Sequence, residues 1–288
     1  MKKSILSLCF LLIVSLFGRD LEDIKASGEL RHLGVPYANF VTGLGDGLDV
    51  ELMQGFAKHL GVKYKYVKTS WNTLFGDLTG RNVKNNGNDV VELDKVEVKG
   101  DVIANGLTML DWRAKVVNYS TPTFPSNVWL IARADSATTP VIPTGLLSSD
   151  ISNVKKTLKD KNVLNLPDTC LDASLYNLKS EGANISNFEK GRSLIEMVPQ
   201  VISGKNDFTL LDVPDALIAL EKWSGEIKVI GPVSEEQVMG VGFRKDSPKL
   251  LAEFNKYFDS IKKDGTYEKM VLKYYSGVFS YYPNFFNK

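Results

Sequence analysis

Ser152-Asn-Val-Lys155 has the spacing of a Ser-x-x-Lys nucleophile, but it stands in a Lys-rich polar stretch without companion motifs and reads as a solvated helix face. Gly43-x-Gly45-x-Gly47 precedes a helical pattern, yet it lacks the dinucleotide spacing and an acidic partner. His32 and His59 stand alone. With two His and two Cys in the whole chain, a zinc site of several His or Cys ligands and a disulfide scaffold are both excluded. Three segments rise above this background. Gly106-Leu-Thr108-Met-Leu-Asp-Trp-Arg113 follows directly on a short apolar strand pattern, Val102 to Ala104. Gly204-Lys-Asn-Asp207-Phe-Thr-Leu-Leu-Asp212 ends an apolar strand in a carboxylate. Lys263-Asp-Gly-Thr-Tyr-Glu-Lys269 leads into Lys273-Tyr-Tyr-Ser-Gly277.

The elements that must carry these residues alternate in period. Leu48, Leu52, Met53, Phe56, Ala57 and Leu60 share one helical face, with Gly61 as the stop. Lys63 to Lys68 has the period of a strand. Further strands are expected at Val128 to Ala132, Val163 to Leu166, Phe208 to Leu211, Ile227 to Ile230 and Val238 to Arg244. Leu250, Phe254, Tyr257, Phe258 and Ile261 mark a helix near the end of the chain. Strands alternating with helices argue a parallel-rich α/β fold. Residues 82–100 interrupt the pattern, and the alternation in their second half predicts an exposed hairpin arm.

At 288 residues, 43% hydrophobic and 24% charged, the chain suits two lobes rather than one small domain or a disordered polymer. Thirty-five basic against 34 acidic side chains leave no footprint for nucleic acid. Lys2 and Lys3 precede an apolar run from Ile5 to Phe17, the pattern of a secretory signal and short for a membrane span. Removal of residues 1–18 leaves 33 basic and 34 acidic side chains, a net charge of −1, and a single cysteine, Cys170. A protein exported across the inner membrane to the periplasm is expected.

These segments, with Leu30-Arg-His-Leu-Gly34-Val-Pro-Tyr37 and Gly47-Leu-Asp49-Val-Glu-Leu, resemble in the same order the bacterial extracellular solute-binding proteins of the polar amino-acid class, family 3. The resemblance runs from about Leu30 to Gly277, and residues 82–100 depart from the usual length. It implies the type II periplasmic-binding-protein fold: two α/β lobes, each a central sheet flanked by helices, with a ligand clamped in the cleft. Lobe one is expected to comprise residues 19–125 and 237–288, and lobe two residues 126–236, with crossings near Pro125 and Met239. Ligands of open α/β sheets sit beyond the carboxyl ends of strands, where Gly106 and Asp212 fall.

The resemblance also implies roles. An α-amino acid needs a cation and N–H donors on one side and an anion on the other. Arg113 would grip the carboxylate through its planar fork, with Gly106 and Thr108 offering backbone groups and a hydroxyl. Asp212 would hold the ammonium, Asp215 being the rival. Pro167-Asp168-Thr169-Cys170 would complete the carboxylate cradle with N–H groups at a helix N-terminus; Asp168-Thr169 stands where the family has Gly-Ser or Gly-Thr. Tyr37 and Trp71 would pack the ligand's stem. The competing roles are a surface salt bridge from Arg113 to Asp111 or Asp77, a helix cap for Asp212 or Asp215, and core packing for the aromatics. The expected protein is a non-enzymatic monomer without cofactor or metal, delivering an amino acid to the permease of an ABC importer. Alternatives are a module for a membrane sensor, or a dehydratase-like enzyme, for which Glu51 and Glu196 are not obviously placed. A fused peptidoglycan-cleaving domain, found in some relatives, is not expected.

Overall fold

The computed structural model describes residues 19–87, 89–189 and 196–286. The expected leader, residues 1–18, and Cys9 lie outside them. Helix Leu48–Leu60 forms where the apolar spacing places it, burying Leu48, Leu52, Met53, Phe56, Ala57 and Leu60. Gly61 closes it in the left-handed conformation at φ 72°. The helix connects two parallel strands, β1 (Glu29–Gly34) and β2 (Lys63–Lys68), which pair Leu30 with Tyr64.

The remaining strands are β3 (Arg81–Asn86), β4 (Asp89–Lys95), β5 (Val102–Thr108), β6 (Val117–Tyr119), β7 (Phe124–Ser126), β8 (Val128–Arg133), β9 (Asn162–Asn165), β10 (Asn184–Asn187), β11 (Phe208–Asp212), β12 (Ile227–Pro232) and β13 (Gln237–Arg244). They form two principal sheets. One has the order β2-β1-β5-β13-β6, with β7 also on β13; the other has the order β10-β9-β11-β8-β12. The chain passes from the first sheet to the second through Asn127, between β7 and β8, and returns between β12 and β13. The two crossings touch: Val233 N–H donates to the Val128 carbonyl at 2.9 Å, and Val128 N–H to Ser234 Oγ at 2.8 Å.

The sheets are mixed rather than parallel-rich. β1 runs parallel to β2 and β5, and β9 to β10 and β11. β13 is antiparallel to β5, β6 and β7, and β8 is antiparallel to β11 and β12. The antiparallel strands are the two that adjoin the crossings. Each enters its sheet from the other sheet instead of through a βαβ return, so the rule that makes consecutive strands parallel does not act on it.

Helix Pro248–Lys263 covers the first sheet with Leu250, Phe254, Tyr257, Phe258 and Ile261. Phe254 meets Phe56 edge to face at 5.2 Å. A fully buried side chain of this size contributes about 1.5–3 kcal/mol by leaving water. β3 and β4 pair antiparallel, with Val91 and Leu93 exposed on β4. Among the described residues no helix is long and apolar enough to cross a membrane.

Candidate functional site

β5 runs four residues beyond the expected Val102 to Ala104, and all seven of its residues are buried. Gly106 lies inside it at φ 63°. A Cβ there would collide with the Phe40 ring and stand 2.9 Å from that of Tyr37, so only glycine lets these rings close on the strand. The Gly106 N–H is already committed, donating to Asp49 Oδ2 at 2.7 Å. Of the backbone groups expected of Gly106, the N–H is therefore already used by the protein. Burial pushes the Asp49 carboxyl up to about 7, the Gly106 N–H opposing it.

Helix Asp111–Val116 starts three residues after β5 and carries Arg113. Arg113 is 2% exposed. Its Nη1 donates to the Thr108 carbonyl at 3.0 Å, and its guanidinium lies 5.4 Å from the Trp112 ring centre. Its Nε is buried without a partner, and among the described residues it forms no ion pair. The surface salt bridge is therefore not made: Asp77 pairs with Lys99 at 2.7 Å instead. Thr108 is buried, and its carbonyl also accepts from the Tyr119 hydroxyl at 3.2 Å.

From the second sheet comes Asp212, the last residue of β11 and 1% exposed. It does cap a helix, Val213–Lys222, its Oδ1 accepting from Asp215 N–H at 3.3 Å. Its Oδ2 accepts from the Tyr37 hydroxyl, which reaches it from the first sheet's side. Burial raises the Asp212 pKa, and the Tyr37 hydrogen bond opposes the rise. Asp215 is also buried, with Oδ2 unpartnered, and burial plus the neighbouring Asp212 raise its pKa further. Tyr37 stacks on Phe40 at 5.8 Å and meets the half-buried Trp71 edge to face at 5.8 Å.

The Pro167–Cys170 loop differs from its expected form. It leads into a single 3-10 turn, Ala173–Tyr176, not a full helix, and Asp168 N–H is taken by Asp172 Oδ2 at 3.0 Å. Asp168 adopts φ 63°, a conformation glycine enters freely. Thr169 turns its hydroxyl to the Leu166 carbonyl at 2.8 Å.

All seven residues singled out from the sequence, Tyr37, Trp71, Gly106, Thr108, Arg113, Thr169 and Asp212, line one cavity between the sheets, and Cys170 is the eighth. The space they enclose is about 10 Å³. A larger cavity, about 520 Å³, lies at β9 and β10 and contains none of them. Sequence reasoning assigns no role to the side chains of Cys170 and Asp49. Asp49 is open to suspicion as a carboxylate on the otherwise apolar face of its helix; Cys170 gives no such signal.

A sheet pair crossed by two adjoining segments, with a cavity walled from both sides, defines a two-lobed ligand-binding fold, that of the type II periplasmic binding proteins. Residues 94–277 match the bacterial extracellular solute-binding proteins, family 3, and the chain belongs to that family. It is 26% identical over 289 residues to the lysine/arginine/ornithine-binding periplasmic protein of Escherichia coli, covering 96% of this chain and 97% of that one. It is 25% identical over 233 residues to the membrane-bound lytic murein transglycosylase F of Desulfosudis oleivorans, covering 81% of this chain but 44% of that protein, so it spans less than half of that relative's length. The crystal structure of a mutant of ArgBP from T. maritima superposes with a TM-score of 0.68 at 24% identity, covering 89% of this chain and 99% of that one.

Proposed function

We propose that this protein captures a small polar ligand, an α-amino acid, outside the cytoplasm and delivers it to the permease of an ABC importer. The observation that carries the reading is Arg113. A guanidinium that is 2% exposed, with a buried Nε unpartnered and no direct ion pair among the described residues, keeps a hydrogen-bonding site that no protein group fills; Asp212 acts on the guanidinium only at a distance. A ligand carboxylate would bind it bidentately. Across the same cavity Asp212 offers the anion for an ammonium, Tyr37 and Trp71 offer apolar faces, and Thr108 and Thr169 line the walls. The space enclosed holds about one water, so a ligand enters by parting the lobes. Amino-acid binding by the Escherichia coli relative supports the same class.

The experiment is direct. The purified protein is denatured and any released small molecule identified by mass spectrometry, with thermal-shift titrations against the standard amino acids. A released or stabilising amino acid is the expected result, and indifference to all of them would remove the reading.

One observation favours a second reading. Asp212 is a buried carboxyl whose pKa burial raises and whose Oδ2 accepts from the Tyr37 hydroxyl, so two groups of the kind used in general acid–base work stand together in the cavity. Turnover of cyclic hydroxy acids, in place of simple binding, would favour an enzyme on this fold.

A further inference from the structure

The proposed carboxylate and ammonium contacts leave one wall of the cavity without a role, Cys170. Its thiol lies 3.5 Å from Asp212 Oδ2, the oxygen that also accepts the Tyr37 hydroxyl, and it meets the Thr108 side chain. A second observation points the same space at a ligand: Arg113, 2% exposed, lines it with a buried Nε that has no partner. Only about 10 Å³ is enclosed, so the lining side chains, the Cys170 sulfur among them, stand close enough to pack on a group held at Asp212.

Asp212 has three protein donors on its two oxygens: the Asp215 N–H, the Tyr37 hydroxyl and the Cys170 thiol. The thiol is the weakest donor of the three. Its contact is therefore the least costly to displace, and an arriving ammonium reaches the carboxylate by taking its place. Burial holds the thiol in its neutral form, so no second negative charge stands beside Asp212 at this wall.

We propose that Cys170 is a specificity-determining residue of the cleft: its thiol yields the Asp212 contact to an unsubstituted ligand ammonium, and its bulk excludes ligands whose nitrogen carries a further alkyl group. The inference rests on the amino-acid reading above. It names the feature of the ligand that the site selects.

The test is calorimetric titration of the whole chain with the twenty standard L-amino acids and L-cystine, then with the Nα-methyl derivative of whichever binds most tightly. The wild type should favour the unmethylated form by about 10–200-fold, the cost of one misplaced methyl in a closed pocket. Cys170→Ala should shrink that preference by about fivefold or more. Cys170→Ser, similar in size but a stronger donor, should keep the preference while weakening both forms by about tenfold. An undiminished preference in Cys170→Ala, or none in the wild type, overturns the proposal. Failure of the wild type to bind any amino acid overturns the underlying reading instead, and this inference with it. Should Cys170→Ala not fold, Cys170→Val, bulkier than the thiol at this wall, decides: binding of the unmethylated amino acid weakened by about tenfold or more is expected, and an unchanged affinity overturns the proposal.

Discussion

The two charged residues of the cavity are each held by a backbone contact, Arg113 on the Thr108 carbonyl and Asp212 on the Asp215 N–H. Arg113 spends Nη1 on the Thr108 carbonyl and keeps Nε unpartnered. Arg113→Ala should therefore weaken amino-acid binding by about 2–5 kcal/mol. Arg113→Lys should recover only part of this, having no planar fork. Unchanged affinity by calorimetry would remove Arg113 from the site. Asp212→Asn should weaken amino-acid binding by about 1.5–3 kcal/mol, the worth of a hydrogen bond to a charged group. For a plain carboxylic acid the same change should be neutral or favourable, which separates the two ligand classes. Asp49 gives a prediction without any ligand. Its folded pKa is raised to about 7, against about 3.9 in an unfolded chain. The folded state binds more protons between these values, so this group's contribution is fully present below about pH 4 and is lost as pH rises through about 7. Asp49→Asn keeps an acceptor for the Gly106 N–H and removes the titration. Its melting temperature relative to wild type should rise between pH 5 and pH 8, and a difference that does not change with pH would refute this.

Elements were legible where their residues repeat with one period and opaque where function breaks it. Helices Leu48–Leu60 and Pro248–Lys263 carry long apolar faces, and the first ends at Gly61 as its sequence indicates. β5 was legible only to Ala104, because Asn105, Gly106 and Thr108 are polar or lack a side chain, although all are buried. Those residues adjoin the cavity, where burial of polar groups conceals a strand from a reading based on hydrophobicity. β6 and β7, three residues each, are too short to show a period. The direction of β8 and β13 depends on chain crossings, which no local pattern encodes. The seven residues picked out through the collinear segments converge on one cavity. What could not be read was which donors are already used, such as the Gly106 N–H. Gly106→Ala tests the fit of this element. At φ 63°, with Phe40 and Tyr37 against the added Cβ, strain of about 1–3 kcal/mol is expected. Denaturant unfolding measures it, and a shift below about 0.5 kcal/mol, the scatter of an ordinary surface change, would show that the rings move aside freely.

Across the whole molecule, the cavity's two walls belong to two sheets joined by only two crossings, and the balance between them is electrostatic. Closure brings the Tyr37 hydroxyl to Asp212 and the Cys170 thiol toward Thr108, both favourable. It also buries Arg113 with its Nε unpartnered and Asp215 with an oxygen unpartnered, both costly. On the function proposed above, a carboxylate on Arg113 and an ammonium on Asp212 would remove much of that cost, and the ligand would favour the closed arrangement by its differential interaction with it. Reversing a two-state population from 1:99 to 99:1 takes about 5.5 kcal/mol, which the two charged contacts together can supply. Small-angle scattering should therefore give a smaller radius of gyration with a saturating amino acid than without. Tyr37→Phe, which deletes the bond to Asp212, should leave the ligand-free protein at least as open as wild type while still closing on ligand at higher concentration. An identical radius in both states for the wild type would mean that the lobes do not move, and that a cavity of about 10 Å³ cannot be the place where a ligand is held.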